Sequence, residues 1–289
     1  MRVLITTSLC ILFSQLICQT GTDAFSKYWY AGEAEITSYE LQQARYGELR
    51  KGHCVMVFVT EPFSRAKQVK LDRASQSSEN VTVMKLNFIK KFNTGIYPYS
   101  MMTSSFVPVS FDKYPDAMKV TTSSQEWCGH TFTQLNLDDD AYRFREFSYF
   151  ESEGDREVEL EVDWLEDELW QRIRLDPSGL PLGQISILPS TMYARLGHKS
   201  PVALSAMATL SVKQSIADDA KEIYEYKLNY PDRTLAIRFE KDFPYAIVGW
   251  EETYQGLTTT ASIIRRIKSP YWQKNANKDE YLRTELGIE

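Results

Sequence analysis

Few of the residues and motifs that mark a common enzyme are present. No GxGxxG follows a strand-like run, and GxxxxGK[ST], HExxH and GxSxG are all absent. Nucleotide-dependent chemistry of the usual kinds therefore has no anchor here. A basic excess is also missing: 33 Lys and Arg stand against 39 Asp and Glu, a net charge of −6, so no overall positive field would gather nucleic acid. Beyond the N-terminus no apolar run approaches the roughly 20 residues that a membrane-crossing helix needs. Internal repeats, low-complexity blocks and long Pro- or Ser-rich linkers are lacking too. Only three histidines occur, His53, His130 and His198.

What is abundant is aromatic. Seventeen Tyr, 14 Phe and 6 Trp make up 13% of the chain, a composition that favours sheets because flat rings pack well on a pleated surface. Hydrophobic residues reach 43% and charged residues 25%, ordinary values for a globular protein with a substantial core.

The N-terminus reads as an export signal: Arg2, then an apolar stretch from Val3 to Ile17. Two endings fit it. Cleavage after Ala24, with Thr22 at the −3 position, gives a soluble product and a leader of residues 1–24. Alternatively Leu16-Ile17-Cys18 resembles a bacterial lipobox with Ile17 in place of the usual small residue, so that residues 1–17 are removed and Cys18 is lipidated. Export leaves Cys54 and Cys128 as an even pair in a compartment that permits disulfides.

The mature chain reads strand after strand. His53 to Thr60, Gln68 to Asp72 (with Val69 and Leu71 inward), Val81 to Phe92, Met101 to Val109, Lys119 to Asn136 and Tyr142 to Phe150 are extended runs broken by turn residues. Tyr39 to Arg50 fits an amphipathic helix or a strand. One convincing helix spans Asp163 to Arg174, with Asp163 as N-cap, Glu166 three residues on as in a capping box, and an apolar stripe of Trp164, Leu165, Leu169, Trp170 and Ile173. Strands then resume from Gly183, with hairpin turns at Pro231-Asp232 and Tyr254-Gln255-Gly256. The tail from Pro270 is a short helix or a loose end. Consecutive strands without intervening helices imply a mainly β, antiparallel architecture: a curved sheet, half-barrel or sandwich with one or two helices. We expect a single β-rich domain over 25–289, its halves dividing near 160–182.

The stretch Glu126-Trp127-Cys128-Gly129-His130 raises the question of catalysis. On a continuous strand Glu126, Cys128 and His130 share a face, and they are the residue types of a thiol nucleophile, its base and an orienting carboxylate. Same-face neighbours on one strand lie ~7 Å apart with parallel side chains, so the set works only if Gly129 forms a bulge. A metal set of His53, Cys54, Cys128 and His130 is imaginable, but a bare His-Cys pair has no recognised ligand spacing and adjacent strand residues face opposite ways. No metal and no cofactor is expected. A different use of the chain is ligand binding: a curved antiparallel sheet with an apolar concave face can hold an acyl chain. Tyr142, Phe144, Phe150, Tyr226, Phe239 and Trp250, with Tyr224 and Tyr245, are the residues expected to line it.

Four segments carry a family resemblance: Ala44 to Arg50, Val57 to Glu61, Gly95 to Ser100 and Gln125 to Gly129. They resemble an uncharacterised exported family of Bacteroidota, some members of which bear the label "septum formation inhibitor Maf". That label implies a nucleotide pyrophosphatase with a Ser-x-Ser-Pro-Arg-Arg motif on an α/β fold, and this chain has neither. The resemblance implies export to the periplasm or outer membrane and transfers no catalytic residue. The combined expectation is an envelope protein that binds an apolar or envelope-derived ligand without catalysis. Its partners would be lipid-like rather than nucleic acid, its contact with the membrane limited to a lipid anchor, and its oligomeric state is left open. The alternatives are a cysteine-dependent hydrolase using Cys128 and His130, and a purely structural lipoprotein.

Overall fold

Among the described residues, fifteen strands build one antiparallel sheet. The computed structural model describes residues 23–73, 77–214 and 222–288; the leader cleavage and Cys18 readings lie outside them. The first half contributes β1 (Ala34–Arg45), β2 (Glu48–Ser64), β3 (Val69–Lys70), β4 (Asn80–Thr94), β5 (Tyr97–Pro108), β6 (Lys119–Glu126), β7 (Gly129–Asp138), β8 (Ala141–Ser148) and β9 (Arg156–Leu160). The second contributes β10 (Gly183–Ile187), β11 (Leu204–Gln214), β12 (Glu222–Asn229), β13 (Arg233–Glu240), β14 (Ile247–Tyr254) and β15 (Leu257–Ser269). Each half is a meander. Pairing of β1 with β15 joins them, giving the order β10-β11-β12-β13-β14-β15-β1-β2-β4-β5-β6-β7-β8-β9, with β3 paired to β2 off the path. The sheet does not close: β9 and β10 are its two edges.

The turns show why the chain doubles back where it does. Tyr46-Gly47 and Gln255-Gly256 have positive φ at both central residues, the geometry that matches the right-handed twist of a two-residue hairpin. Tyr39 to Arg50 is accordingly strand, turn and strand, not a helix. The Val69 and Leu71 expectation is corrected in part, because β3 is a short edge piece with Val69 exposed.

Helix α1 occupies residues 23–29. A 3-10 turn (Glu166–Glu168) leads into α2 (Leu169–Leu175), so helical backbone starts at Glu166 and the α-helix itself only at Leu169, not at Asp163. The Leu165 amide donates to Glu168 Oε1 at 3.4 Å, placing the acidic end of a capping box at Glu168 instead of Glu166.

Nor is the helix amphipathic in use. Every residue from Leu165 to Leu175 is buried, including Glu166, Asp167, Glu168, Gln171, Arg172 and Arg174. Trp170 packs edge-on against Phe88 of β4 and Trp250 of β14. Gln171 donates to Ser105 of β5 at 2.6 Å, and Arg174 forms a two-pronged pair with Glu35 of β1. In a flat sheet β14 and β5, five strands apart, would be separated by about 24 Å at ~4.8 Å per strand. One short helix touches both, so the sheet is bent round α2, which fills its concave side.

The main apolar cluster lies on that concave side. A second cluster sits on the convex face of β1 and β2, where Ile36, Val55 and Val57 are covered by Leu286 after α4 (Tyr281–Glu285). Ser38 Oγ donates to the Leu286 carbonyl, so the C-terminal tail is a fastened patch. The segment between β9 and β10 carries the chain from one edge of the sheet to the other, across the concave side. It adds pairing at the β10 edge: the Glu166 amide donates to Leu188 O at 2.9 Å, and the Leu188 amide to Trp164 O at 2.8 Å. The β9 edge is short and carries Glu157 and Glu159, both exposed, a charged finish that discourages pairing with another chain.

Candidate functional site

In an antiparallel meander alternate turns fall at the same end. Here those are the β1–β2, β4–β5, β6–β7, β8–β9, β12–β13 and β14–β15 connections. Helix α3 (Thr191–Gly197) is set among them, capped by Ser190 through a 3.2 Å bond from the Met192 amide. It contacts five of the six turns. Arg45 donates to the Leu196 carbonyl, and Arg195 reaches Glu126 at 3.4 Å. His198, its C-cap, meets Phe150 edge-on at 5.0 Å and hydrogen-bonds Glu153 at 2.6 Å. Tyr193 packs on Tyr254 at 5.4 Å and under the Arg233 guanidinium at 4.2 Å. Its base is fixed by Asp167, which accepts from the Thr191 amide and hydroxyl at 2.9 and 2.7 Å.

A cavity lies on each side of this plug. The smaller, about 240 Å³, mixes charged and apolar walls: Gln43, Lys90, Glu166, Arg233 and Glu252 line it together with Phe88, Trp170, Leu235 and Trp250. Arg233 is tied to Glu166 at 2.5 and 2.7 Å and to Glu252 at 2.6 Å. Burial disfavours a charged Glu252, yet Arg233 and Lys90 hold its carboxyl below the usual range. The larger cavity, about 460 Å³, is walled by Phe144, Leu188, Pro189, Val202, Leu204 and Pro231, with Arg195 and Glu146 among its few charged groups. Glu146 is matched by Arg156 at 2.6 Å; burial, the larger effect, nonetheless raises its pKa.

The continuous strand on which the candidate residues Glu126, Cys128 and His130 would share a face is corrected. Residues 123–136 are not one strand: Trp127 and Cys128 are the turn of a two-residue hairpin, and Glu126 pairs with Gly129, Gln125 with His130. Glu126 folds back so that its Oε2 accepts the Cys128 amide at 2.6 Å, while Oε1 faces Arg195. Gly129 is required by a close approach, because a Cβ there would meet the Tyr149 ring at 2.7 Å. Glu126 raises the Cys128 pKa through hydrogen bonding and charge, the opposite of thiolate activation. Alkylation of Cys128 by iodoacetamide at neutral pH is therefore expected to be slower than that of an unstructured cysteine peptide, and faster in Glu126→Gln. A wild-type rate above the peptide's would restore the hydrolase reading.

Cys54 and Cys128 are both free. Cys54 lies on β2, separated from the β6–β7 turn by β4 and β5, and burial pushes its thiol up to about 12. His53 and Cys54 thus do not join Cys128 and His130, and among the described residues no group of three or more His, Cys, Asp or Glu is placed to hold a metal.

The aromatic set does not gather round one cavity. Phe144 lines the larger and Trp250 the smaller. Phe150 lies under the Arg195 guanidinium at 4.5 Å. Tyr142 and Tyr226 are buried, donating to the carbonyls of Ala117 and Pro181 at 2.9 and 2.8 Å, and Phe239 packs on Tyr224. Sequence reasoning missed the arginines. Arg45, Arg174, Arg195 and Arg233 organise the interior and the plug; the one available signal was the density of charges around every side of 166–174.

Three of the four segments that carry the family resemblance meet at this end. Arg45, Tyr46 and Tyr99 form a hydrogen-bonded set at 2.9 to 3.1 Å. The Tyr97 ring lies at 29° to Trp127, centroids 6.3 Å apart, with Trp127 69% exposed.

No family model matches the chain, and no curated protein does. Among solved structures it is similar to a β-barrel-like protein of a domain of unknown function, DUF1849, from Brucella abortus. That likeness has a TM-score of 0.48 and 8% identity, over 81% of this chain and 96% of the other. The fold itself is plain from the strand pairing: mainly β, one large antiparallel sheet, few helices. Among the described residues no helix is long and apolar enough to cross a membrane.

Proposed function

We propose that this is an exported envelope protein that binds an apolar or envelope-derived ligand beside α3, without catalysing a reaction. The observation that carries the reading is the larger cavity. Its 460 Å³ falls within the range of roughly 300–1,000 Å³ typical of small-ligand sites, and its walls are mostly apolar with a few convergent polar groups. Support for export comes from Arg2 and the apolar run Val3 to Ile17.

The test is a neutral apolar fluorophore, N-phenyl-1-naphthylamine. Its emission should rise with 1:1 stoichiometry on adding the protein. Ala194→Phe, which places a ring in the cavity from α3, should weaken that binding at least ten-fold with the unfolding midpoint little changed. No rise with the wild-type protein, or an unaltered rise with Ala194→Phe, would overturn the assignment of this cavity.

A further inference from the structure

Among the few charged groups in the mostly apolar lining of the larger cavity, one stands out. Arg195 is only 5% exposed, yet its guanidinium has a single protein hydrogen-bond partner, Glu126 Oε1 at a long 3.4 Å. Its Nε and Nη1 have no hydrogen-bond partner. The other buried arginines among the described residues are served better: Arg174 holds both oxygens of Glu35, Arg233 holds Glu166 and Glu252, and Arg172, though its Nε is also without a hydrogen bond, donates to the Pro115 carbonyl and to Glu168. Buried N–H groups are normally satisfied, and a guanidinium presents its donors as a planar fork matched to an oxyanion.

The neighbours do not supply the missing acceptor. Glu126 gives its other oxygen to the Cys128 amide. Glu146, across the cavity, is held by Arg156. The Phe150 ring against which the guanidinium rests fixes its plane without accepting a hydrogen bond in the ordinary sense. Lys199 and Asp232 also line the cavity; the two charges act on each other, and the Lys199 ammonium lies over the Tyr254 ring at 5.4 Å, so Arg195 is the cation left underserved.

We propose that the ligand of this cavity is an anionic amphiphile, whose carboxylate or phosphate head is taken by the guanidinium of Arg195 while its hydrocarbon part lies against Phe144, Leu188 and Leu204. This rests on the cavity being a ligand site and adds the chemical class of the ligand. Binding involves no covalent step.

Isothermal titration calorimetry with three ten-carbon probes separates the two claims. Decanoate and decyl phosphate should each bind at least ten-fold more tightly than decanol, and whichever head binds better identifies its source as a fatty acid or a phosphate-headed lipid. Arg195→Met should abolish the preference while leaving decanol binding in place. Glu126→Gln, which removes the competing carboxylate, should increase it. Equal affinities of the wild-type protein for decanol and both anions would overturn the head-group inference and leave the apolar site standing; that comparison needs no variant. A preference unchanged in Arg195→Met would overturn it as well. Failure of all three probes to bind would overturn the site itself.

Discussion

Replacing Arg174 by methionine should destabilise the protein by about 3–5 kcal/mol, the scale found when one partner of a buried ion pair is removed. Arg174 and Glu35 are essentially without solvent contact, 1% and 0% exposed as side chains, and the guanidinium meets both carboxylate oxygens. Tyr28 and Thr37 donate to the same carboxylate. The loss comes less from the attraction forgone than from a carboxylate left in an apolar interior. Glu35→Gln combined with Arg174→Met should therefore cost less than Arg174→Met alone, in urea unfolding at neutral pH. Additive losses in the double variant would show that the two side chains act independently.

The pH dependence has a definite sign. Burial disfavours the Glu35 anion, but Arg174 outweighs it and the folded pKa lies below the ordinary carboxylate value. Such a group stabilises above its unfolded pKa of about 4.3, and that contribution is lost as pH falls through the lower folded value. In Arg174→Met burial acts unopposed and the folded pKa is raised. The variant's deficit should then be greatest near neutrality and shrink on acidification. A deficit constant from pH 7 to pH 4 would contradict this account.

Trp250→Ala should cost a similar ~3–5 kcal/mol, the range for removing a large aromatic side chain from a packed interior. Trp250 is 2% exposed and is a junction of rings: Tyr39 at 5.0 Å, Phe88 at 5.3 Å and Trp170 at 5.4 Å. It thereby ties β1, β4 and β14 to α2, the contact that bends the sheet. The loss should appear as a shift of the urea midpoint in the absence of any ligand. A change below about 1 kcal/mol would mean that the interior relaxes to fill the space, and that the ring matters only to what the smaller cavity holds.

Sheet class, strand order along the chain and most turns were legible because alternation and turn residues act locally. Val81 to Phe92 and Tyr142 to Phe150 show it: the first lies wholly within β4, and the second is strand up to Ser148. The hairpin at Trp127-Cys128 was not legible. A two-residue turn preserves the every-second-residue rhythm of a strand, and neither central residue is Gly, Asn or Asp, so nothing in 123–136 announces the reversal. Helix α2 was found, but its surroundings were not. Apolar residues on one stripe ordinarily mean that the charged residues face water; here the sheet encloses this segment and supplies Glu35 and Arg233 as partners, with Thr191 coming from α3. The plug at α3 was missed altogether, since Thr191–Gly197 is seven residues long and carries no stripe. Its arginine is informative only once Glu126, Phe150 and the cavity are seen around it. Pairings between positions so far apart leave no periodic trace.

The junction of β1 with β15 sets the order in which this molecule can mature. Ala34 finds its partner Ser269 only near the end of the polypeptide, whereas every other neighbouring pair of long strands is linked by a turn or a modest loop. Until β15 has been made, β1 lacks its neighbour on that side and the two meanders cannot be joined. Closing so distant a contact last delays acquisition of the native state. A chain that crosses a membrane unfolded is spared premature assembly of the first meander, so late joining of its ends is compatible with passage before folding.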